Sequence, residues 1–257
     1  MPERDLALLT EAAREAGRIA MRYWQKTPAV WNKPDQSPVT EADHAVNDML
    51  HARLITARPE YGWLSEETPD RSARLDQTHV FIIDPIDGTR AFIAGERHFS
   101  HSLAIARLGK VVAAAVYLPA LDRLYLASKD GPALADGEPI HASNKGLGDA
   151  PNILTSKASL DPGYWTDPPI FQRSFRASLA YRLCLVADGS FDAMLSFRDA
   201  WEWDTAAGSL IAARAGAVVT DGRGGALRYN SANAQSPGIF ASSPTLHRDL
   251  IALRKPA

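Results

Sequence analysis

The sequence predicts an α/β protein of the α+β kind, with an antiparallel sheet in its first half and a mixed α/β second half. Three observations carry that prediction. Residues 102–128, SLAIARLGKVVAAAVYLPALDRLYLAS, contain three strand-like runs parted by Leu-Gly-Lys and Pro-Ala-Leu-Asp, the pattern of a meander. HVFIID, residues 79–84, is apolar without interruption, as a strand covered on both faces should be. Beyond residue 150, short apolar runs alternate with segments of helical period. The change of character near residue 145 divides the chain into an N-terminal half, 1–145, and a C-terminal half, 146–257.

Taken in order, residues 5–24 place Leu6, Leu9, Ala13, Ala16, Ala20 and Tyr23 at spacings of three and four, one apolar helical stripe. KPDQSPV (33–39) breaks it with two prolines. TEADHAVNDMLHARLITA then reads as a second helix, with Thr40 as N-cap and Asp43 three residues later. YGWLSEE (61–67) is a short strand ending in acids, and HVFIID follows it. After the meander, KDGPALADGEPIHAS is turn-rich and closes that sheet. In the second half, NILTS is a short strand and LDPGYWTDPPIF a loop. SLAYRLCLVADG is a helix stopped by Gly189, and SFDAMLSF a strand. WDTAAGSLIAARAG is a helix closed by Gly216, and AVVTD the strand after it.

Composition removes several function classes. Lys plus Arg number 28 and Asp plus Glu 30, so the net charge of −2 offers no basic excess for a nucleic-acid polymer or an anionic membrane. No apolar run approaches the ~18–20 residues that span a bilayer, and the acidic start MPERDLALLTEAAREAG is no signal peptide. The single cysteine, Cys184, excludes an intrachain disulfide, which makes the cytoplasm the expected compartment. Cys184 lies among Leu183, Leu185 and Val186 and reads as core.

The chemistry concentrates at IIDPIDGTRAF. Pro85 biases Asp84 toward extended backbone, so the strand should run to Asp84 and then turn. In a continuing strand, residues i and i+3 face opposite sides; a turn brings Asp84 and Asp87 together. Gly88 allows close backbone approach, and a helix opening at Gly88 and Thr89 presents free N–H groups to an anion. A type I turn with Asp87 capping that helix accounts for the same pattern. Asp204, at the start of a helix, is favourable through the helix dipole alone, and Asp43 can be simply half of a capping box. Glu66 and Glu67 end one strand much as Asp84 ends another, so neighbouring strands would make the acidic ends coincide.

In chain order, WLSEE, IIDPIDGTRAF and WEWDTAAG resemble the inositol monophosphatase superfamily of metal-dependent, lithium-sensitive phosphatases. The resemblance spans nearly the whole chain, including KPDQSPVTEAD. It implies a layered α/β/α/β/α sandwich with the metal site between the halves. Carried over by motif, Glu66, Asp84, Asp87 and Asp204 would be metal ligands, with the Ile86 carbonyl as a backbone ligand. Thr89, supported by Asp43, would orient the attacking water, with Glu66 as a further catalytic carboxylate. Gly88 and Thr89 would hold the phosphate, with Asp87 and Asp204 beside the substrate. Lys33 falls near the family's lysine, in a segment one residue shorter.

Elementary electrostatics agrees with that implication. A pocket of four or five carboxylates repels a phosphate ester unless cations are bound in it. All matched ligands are oxygens, which favours Mg²⁺ over Zn²⁺, here two or three ions. Two ions about 3.5–4 Å apart suit in-line displacement by activated water. The expected partner is a small phosphorylated metabolite, and the resemblance admits a homodimer.

A haloacid-dehalogenase type of enzyme would carry an aspartyl-phosphate on Asp84, but its acids are i and i+2 rather than i and i+3. A metal-dependent phospholigand-binding module needs the same acids without turnover. Among substrates, DGTRAF, EWDTAAG and SEETPD lean toward 3′(2′),5′-bisphosphate nucleotidases; inositol monophosphatase and histidinol phosphatase are the alternatives. Lys157, Arg173, Arg176 and Arg198 are available for a second phosphate, or are solvated surface charges. His98 and His101 lack a third ligand and read as structural; Trp201 and Trp203 read as packing.

Overall fold

The computed structural model describes residues 2–255. Helices α1 (Pro2–Tyr23) and α2 (Glu41–Ala57) are joined through a hairpin, β1 (Val30–Asn32) and β2 (Pro38–Thr40). KPDQSPV is thus more than a helix breaker. Lys33 and Gln36 close the hairpin turn through the backbone, and Gln36 adopts positive φ (65°) there.

Next come β3 (Gly62–Ser65), β4 (His79–Asp87), α3 (Thr89–Ile93), β5 (Ser100–Arg107), β6 (Lys110–Leu118), β7 (Arg123–Ser128), β8 (Ala133–Ala135) and β9 (Glu138–Pro139). Strands β3 to β9 lie side by side in that order, antiparallel except for the β3–β4 pair. The remaining elements are β10 (Asn152–Leu154), β11 (Gln172–Ser174), α4 (Leu179–Ala187), β12 (Ala193–Ser196), β13 (Ala200–Trp201), α5 (Glu202–Arg214), β14 (Val218–Thr220), β15 (Gln235–Ser236), β16 (Ile239–Ser242) and α6 (Pro244–Ala252). A second, mixed sheet runs β11-β10-β12-β16-β14, and β13 pairs with β15 as a small ribbon.

Side-chain alternation builds the layers. On β4, Phe81 and Ile83 face Leu9, Ala13, Leu50 and Leu54 of α1 and α2. Val80 and Ile82 face the opposite way, toward Leu183 of α4 and Ile211 of α5, which also meet Met194 and Ala241 of the second sheet. The other face of that sheet, with Ile153, Leu195 and Phe240, is covered by Leu246 and Leu250 of α6. The order α1/α2, large sheet, α4/α5, small sheet, α6 is the five-layer sandwich. Each fully buried Leu or Ile in it contributes about 1.5–3 kcal/mol, so the central layer, apolar on both sides, is what couples the two sheets.

Helix α5 approaches α4 closely at Gly208, where an added Cβ would lie 2.6 Å from Leu183 Cβ. The glycine of WDTAAG is therefore a packing requirement. Cys184 is fully buried in the same layer. The stretch LDPGYWTDPPIF contains a short 3₁₀ turn at Pro162–Tyr164, with Asp161 capping it through Gly163 N–H. Helix α6, with Ser243 as N-cap and Pro244 as first residue, and strands β11, β13, β15 and β16 are elements not anticipated above. Among the described residues no helix is long and apolar enough to cross a membrane.

Candidate active site

Strand β4 does not turn after Asp84. It continues to Asp87, with Asp84 opposite Ser102 and Asp87 opposite Ser100, so three steps on β4 match two on β5. The extra residue is a bulge, and Pro85, which has no N–H to give the ladder, sits in it. The bulge does what a turn was expected to do. It resets the alternation so that Asp84 and Asp87 line one cavity of about 310 Å³. His101 Nδ1 hydrogen-bonds the Pro85 carbonyl from the neighbouring strand. Burial pulls the His101 pKa down to about 4, so the ring is neutral and buttresses the bulge. Its structural reading is correct; His98 stacks on Tyr181.

Parallel pairing of β3 with β4 continues through Glu66 N–H to Ile83 O at 3.2 Å and delivers Glu66 beside Asp84. Asp204 arrives from the first turn of α5. There, Ser102 Oγ donates to Trp203 O at 2.8 Å and ties the helix start to β5. Glu66, Asp84 and Asp204 each bring a carboxylate oxygen within 4.8 Å of the other two. Asp84 is 1% exposed and its Oδ1 has no hydrogen-bond partner. Burial, then the charges of Glu66, Asp87 and Asp204, push the Asp84 carboxyl well above the usual range. Asp204 is raised likewise, by burial and then by Asp87 and Glu66. Carboxylates so crowded favour either protons or a bound cation. The donor set, all oxygen with one buried lone oxygen, fits a hard divalent ion.

Asp87 stands outside that trio. Its Oδ2 accepts from Ser178 Oγ (2.6 Å) and from Ala180 N–H (2.7 Å), so it caps α4 across the interface and not the helix that follows it. Burial raises its pKa against those hydrogen bonds. None of these bonds uses Oδ1. Gly88 adopts a φ of +100°, where a side chain would be strained, and the Gly88 and Thr89 N–H groups serve no turn, loop or cap bond. Thr89 Oγ lies 3.2 Å from Asp43 Oδ1 and 3.1 Å from the Ile86 carbonyl. Asp43 Oδ2 meanwhile completes the capping box with Thr40. The capping and supporting roles of Asp43 coexist, one on each oxygen.

Lys33, at the tip of the β1–β2 hairpin, places Nζ 2.7 Å from Glu66 Oε1 and 2.6 Å from Glu67 Oε1. Glu67 is pushed up to about 7 by burial and by Glu66, against the pull of Lys33. Arg90 and Phe175 line the cavity as well, whereas Lys157, Arg173, Arg176 and Arg198 do not. Arg173 and Arg176 instead donate to the carbonyls of Thr155 and Phe175. Ser178 was missed by sequence reasoning, although Ser before LAYRLCLVA is an N-cap signal. Glu202 also turns out structural: buried, it accepts from the Asn230 and Ser231 backbone. Trp201 and Trp203 stack on one another, centroids 4.6 Å apart. A larger cavity of about 610 Å³ lies behind Glu67, near His51 and Arg74, and contains none of the trio. The convergent carboxylates line the smaller cavity, not the larger one.

A model of the "Inositol monophosphatase family" matches residues 1–256. The chain is 35% identical over 232 residues to an inositol-1-monophosphatase of Rhizobium meliloti, covering 86% of each. It is 32% identical over 232 residues to the 3′(2′),5′-bisphosphate nucleotidase CysQ of Salmonella typhimurium, covering 87% of this chain and 93% of that one. Its fold superposes on the extragenic suppressor protein suhB of Bartonella henselae with a TM-score of 0.84 at 26% identity, over 97% of both chains.

Proposed function

Because the chain belongs to the inositol monophosphatase family of phosphatases, we propose that it hydrolyses a small phosphate monoester with Mg²⁺ held by Glu66, Asp84, Asp87, Asp204 and the Ile86 carbonyl. The observation that carries this reading is the trio of Glu66, Asp84 and Asp204 within 4.8 Å, with Asp84 Oδ1 buried and unpartnered. Bound there, divalent ions would neutralise the acids, lower the pKa of a water and stabilise the leaving oxygen.

The protein's own groups divide the remaining work. Thr89 Oγ donates its hydrogen bond to Asp43 Oδ1, 3.2 Å away. The lone pairs of Thr89 Oγ are then free to accept a hydrogen bond from the attacking water, which orients that water. Gly88 and Thr89 line the same cavity, and their free N–H groups are suited to phosphate oxygens. Nothing in this arrangement requires a covalent protein nucleophile, and a trapped aspartyl-phosphate on Asp84 would overturn the reading.

Within this reading the substrate is a nucleotide carrying a second phosphate, with 3′-phosphoadenosine 5′-phosphate converted to AMP. Its support is Arg90, a cation on the cavity wall next to Thr89, and Phe175, 49% exposed on the same wall. A guanidinium suits the second phosphate and an exposed ring suits a base. The competing substrate, an inositol phosphate, is favoured by the 35% identity to the Rhizobium enzyme. The test is kcat/KM for 3′-phosphoadenosine 5′-phosphate, inositol 1-phosphate and histidinol phosphate, each with Mg²⁺ and with EDTA. The nucleotide should lead; a lead for inositol 1-phosphate reverses the substrate assignment, and turnover unaffected by EDTA removes the metal.

A further inference from the structure

A separate cavity of about 320 Å³ opens where the loops after β12 and β14 meet the residues that follow α6. It shares no lining residue with the acidic cavity. Three cations, Arg223, Arg254 and Lys255, converge on it against one facing acid, Asp199. Among the described residues none of the three forms a salt bridge. Asp221, the other acid felt by Arg254, spends Oδ1 on the N–H groups of Arg223 and Gly225 in its own loop. Among the described residues Lys255 Nζ meets a neutral acceptor, Pro162 O, at 3.0 Å.

Arg254 is held in place by its neighbours. Its guanidinium lies 5.2 Å from the Phe197 ring centroid, and its backbone bridges to Trp165. Among the described residues its buried Nε has no hydrogen-bond partner. Burial and the Arg223 charge both press its pKa below the ordinary value. The two guanidinium charges repel one another across the cavity. An anion between Arg223 and Arg254 relieves that repulsion. The wall beside them is aromatic and planar: Tyr164, 36% exposed, stacks on Phe197 with centroids 4.6 Å apart.

We propose that this cavity is a second ligand site, which binds a small phosphorylated molecule with its phosphate between Arg223 and Arg254 and its planar part against Tyr164. The volume is at the lower end of small-molecule cavities, roughly 300–1,000 Å³, and suits a mononucleotide rather than a polymer.

The test is calorimetric titration of the full chain with AMP, and separately with inorganic phosphate, both in EDTA. Without metal the acidic cavity repels phosphate, so binding reports the basic one. Saturable AMP binding is expected, weakened at least about tenfold, the equivalent of about 1.4 kcal/mol, by Arg223→Ser or Arg254→Met and unchanged by Asp84→Asn. Tyr164→Ala should weaken AMP but not inorganic phosphate. Arg223 is exposed on a loop, so its variant keeps the test valid if Arg254→Met fails to fold. Absence of saturable binding overturns the proposal. So does binding that survives Arg223→Ser, or that disappears in Asp84→Asn. Equal affinity for AMP and phosphate overturns the aromatic contact.

Discussion

Lys33 Nζ lies 2.7 Å from Glu66 Oε1, so the cation nearest the acidic trio is a side chain of the protein itself. Any divalent ion that uses Glu66 has to share that carboxylate with Lys33 or displace it. Lys33→Met should therefore lower the Mg²⁺ concentration for half-maximal activity. The gain should reach at most about fivefold, since a partly exposed pair is worth up to about 1 kcal/mol. Mg²⁺-dependence curves measure it. A weakened requirement for Mg²⁺ supports competition; a raised one would mean that Lys33 positions Glu66.

The two oxygens of Asp43 separate stability from catalysis. Thr40→Ala removes the capping box and should cost about 1 kcal/mol with kcat largely kept. Thr89→Val should leave the melting temperature nearly unchanged and lower kcat by about a hundredfold. Asp43→Asn should do both, because one amide oxygen cannot accept from Thr40 and Thr89 together. Urea unfolding alongside kcat tests the separation, which collapses if Thr40→Ala and Thr89→Val behave alike.

Asp84→Asn should abolish hydrolysis yet stabilise the metal-free protein by a few degrees, as it removes one of three mutually repelling carboxylates. In excess Mg²⁺ the order should invert, since the wild type gains RT ln(1 + [L]/Kd) from the ion. Thermal melts with EDTA and with Mg²⁺ decide it. An Asp84→Asn protein that is folded and active would falsify the site.

Raised carboxylates give a pH signature of definite sign. Asp84, Asp204 and Glu67 hold protons in the folded state that the unfolded chain has released, so metal-free stability falls as pH rises through their folded values. Below the ordinary histidine range the opposite slope of His101, with its pKa near 4, masks this. Well above the ordinary histidine value of about 6.5 His101 is neutral in both the folded and the unfolded chain, so its slope vanishes and that of the acids remains. Melting temperature in EDTA should decline from there toward pH 8, and decline less in Asp84→Asn. A flat profile in both proteins contradicts the predicted sign.

Gly208→Ala tests the central layer. Its new Cβ would meet Leu183 Cβ at 2.6 Å and force α4 from α5, at about 1–3 kcal/mol. Leu183→Ala in the same chain should recover part of the loss, and strict additivity in a double-mutant cycle would refute the contact.

Local patterns made some of this legible before any coordinates. The buried strand at 79–84, the meander, and helices stopped at Gly189 and Gly216 follow from period and punctuation, and the structure reproduces them. Local preference alone argues for a turn at Pro85; pairing with β5, with His101 on the Pro85 carbonyl, makes a bulge instead. The partner of Asp87 was invisible for a related reason, since Ser178 lies 91 residues away. The same holds for Arg90 replacing the basic residues of the second half on the cavity wall, because only tertiary packing decides which exposed cations face a given hollow.

The bond from Ser178 to Asp87 also orders events during synthesis. A nascent chain that has emerged only as far as β9 carries Asp87 with neither Ser178 nor Ala180 to satisfy it, and no Asp204. Closing so long a loop adds little to the equilibrium cost but slows folding. Truncated products therefore hold an exposed acidic rim that cannot assemble, and hydrolytic competence arrives only with the nearly finished polypeptide.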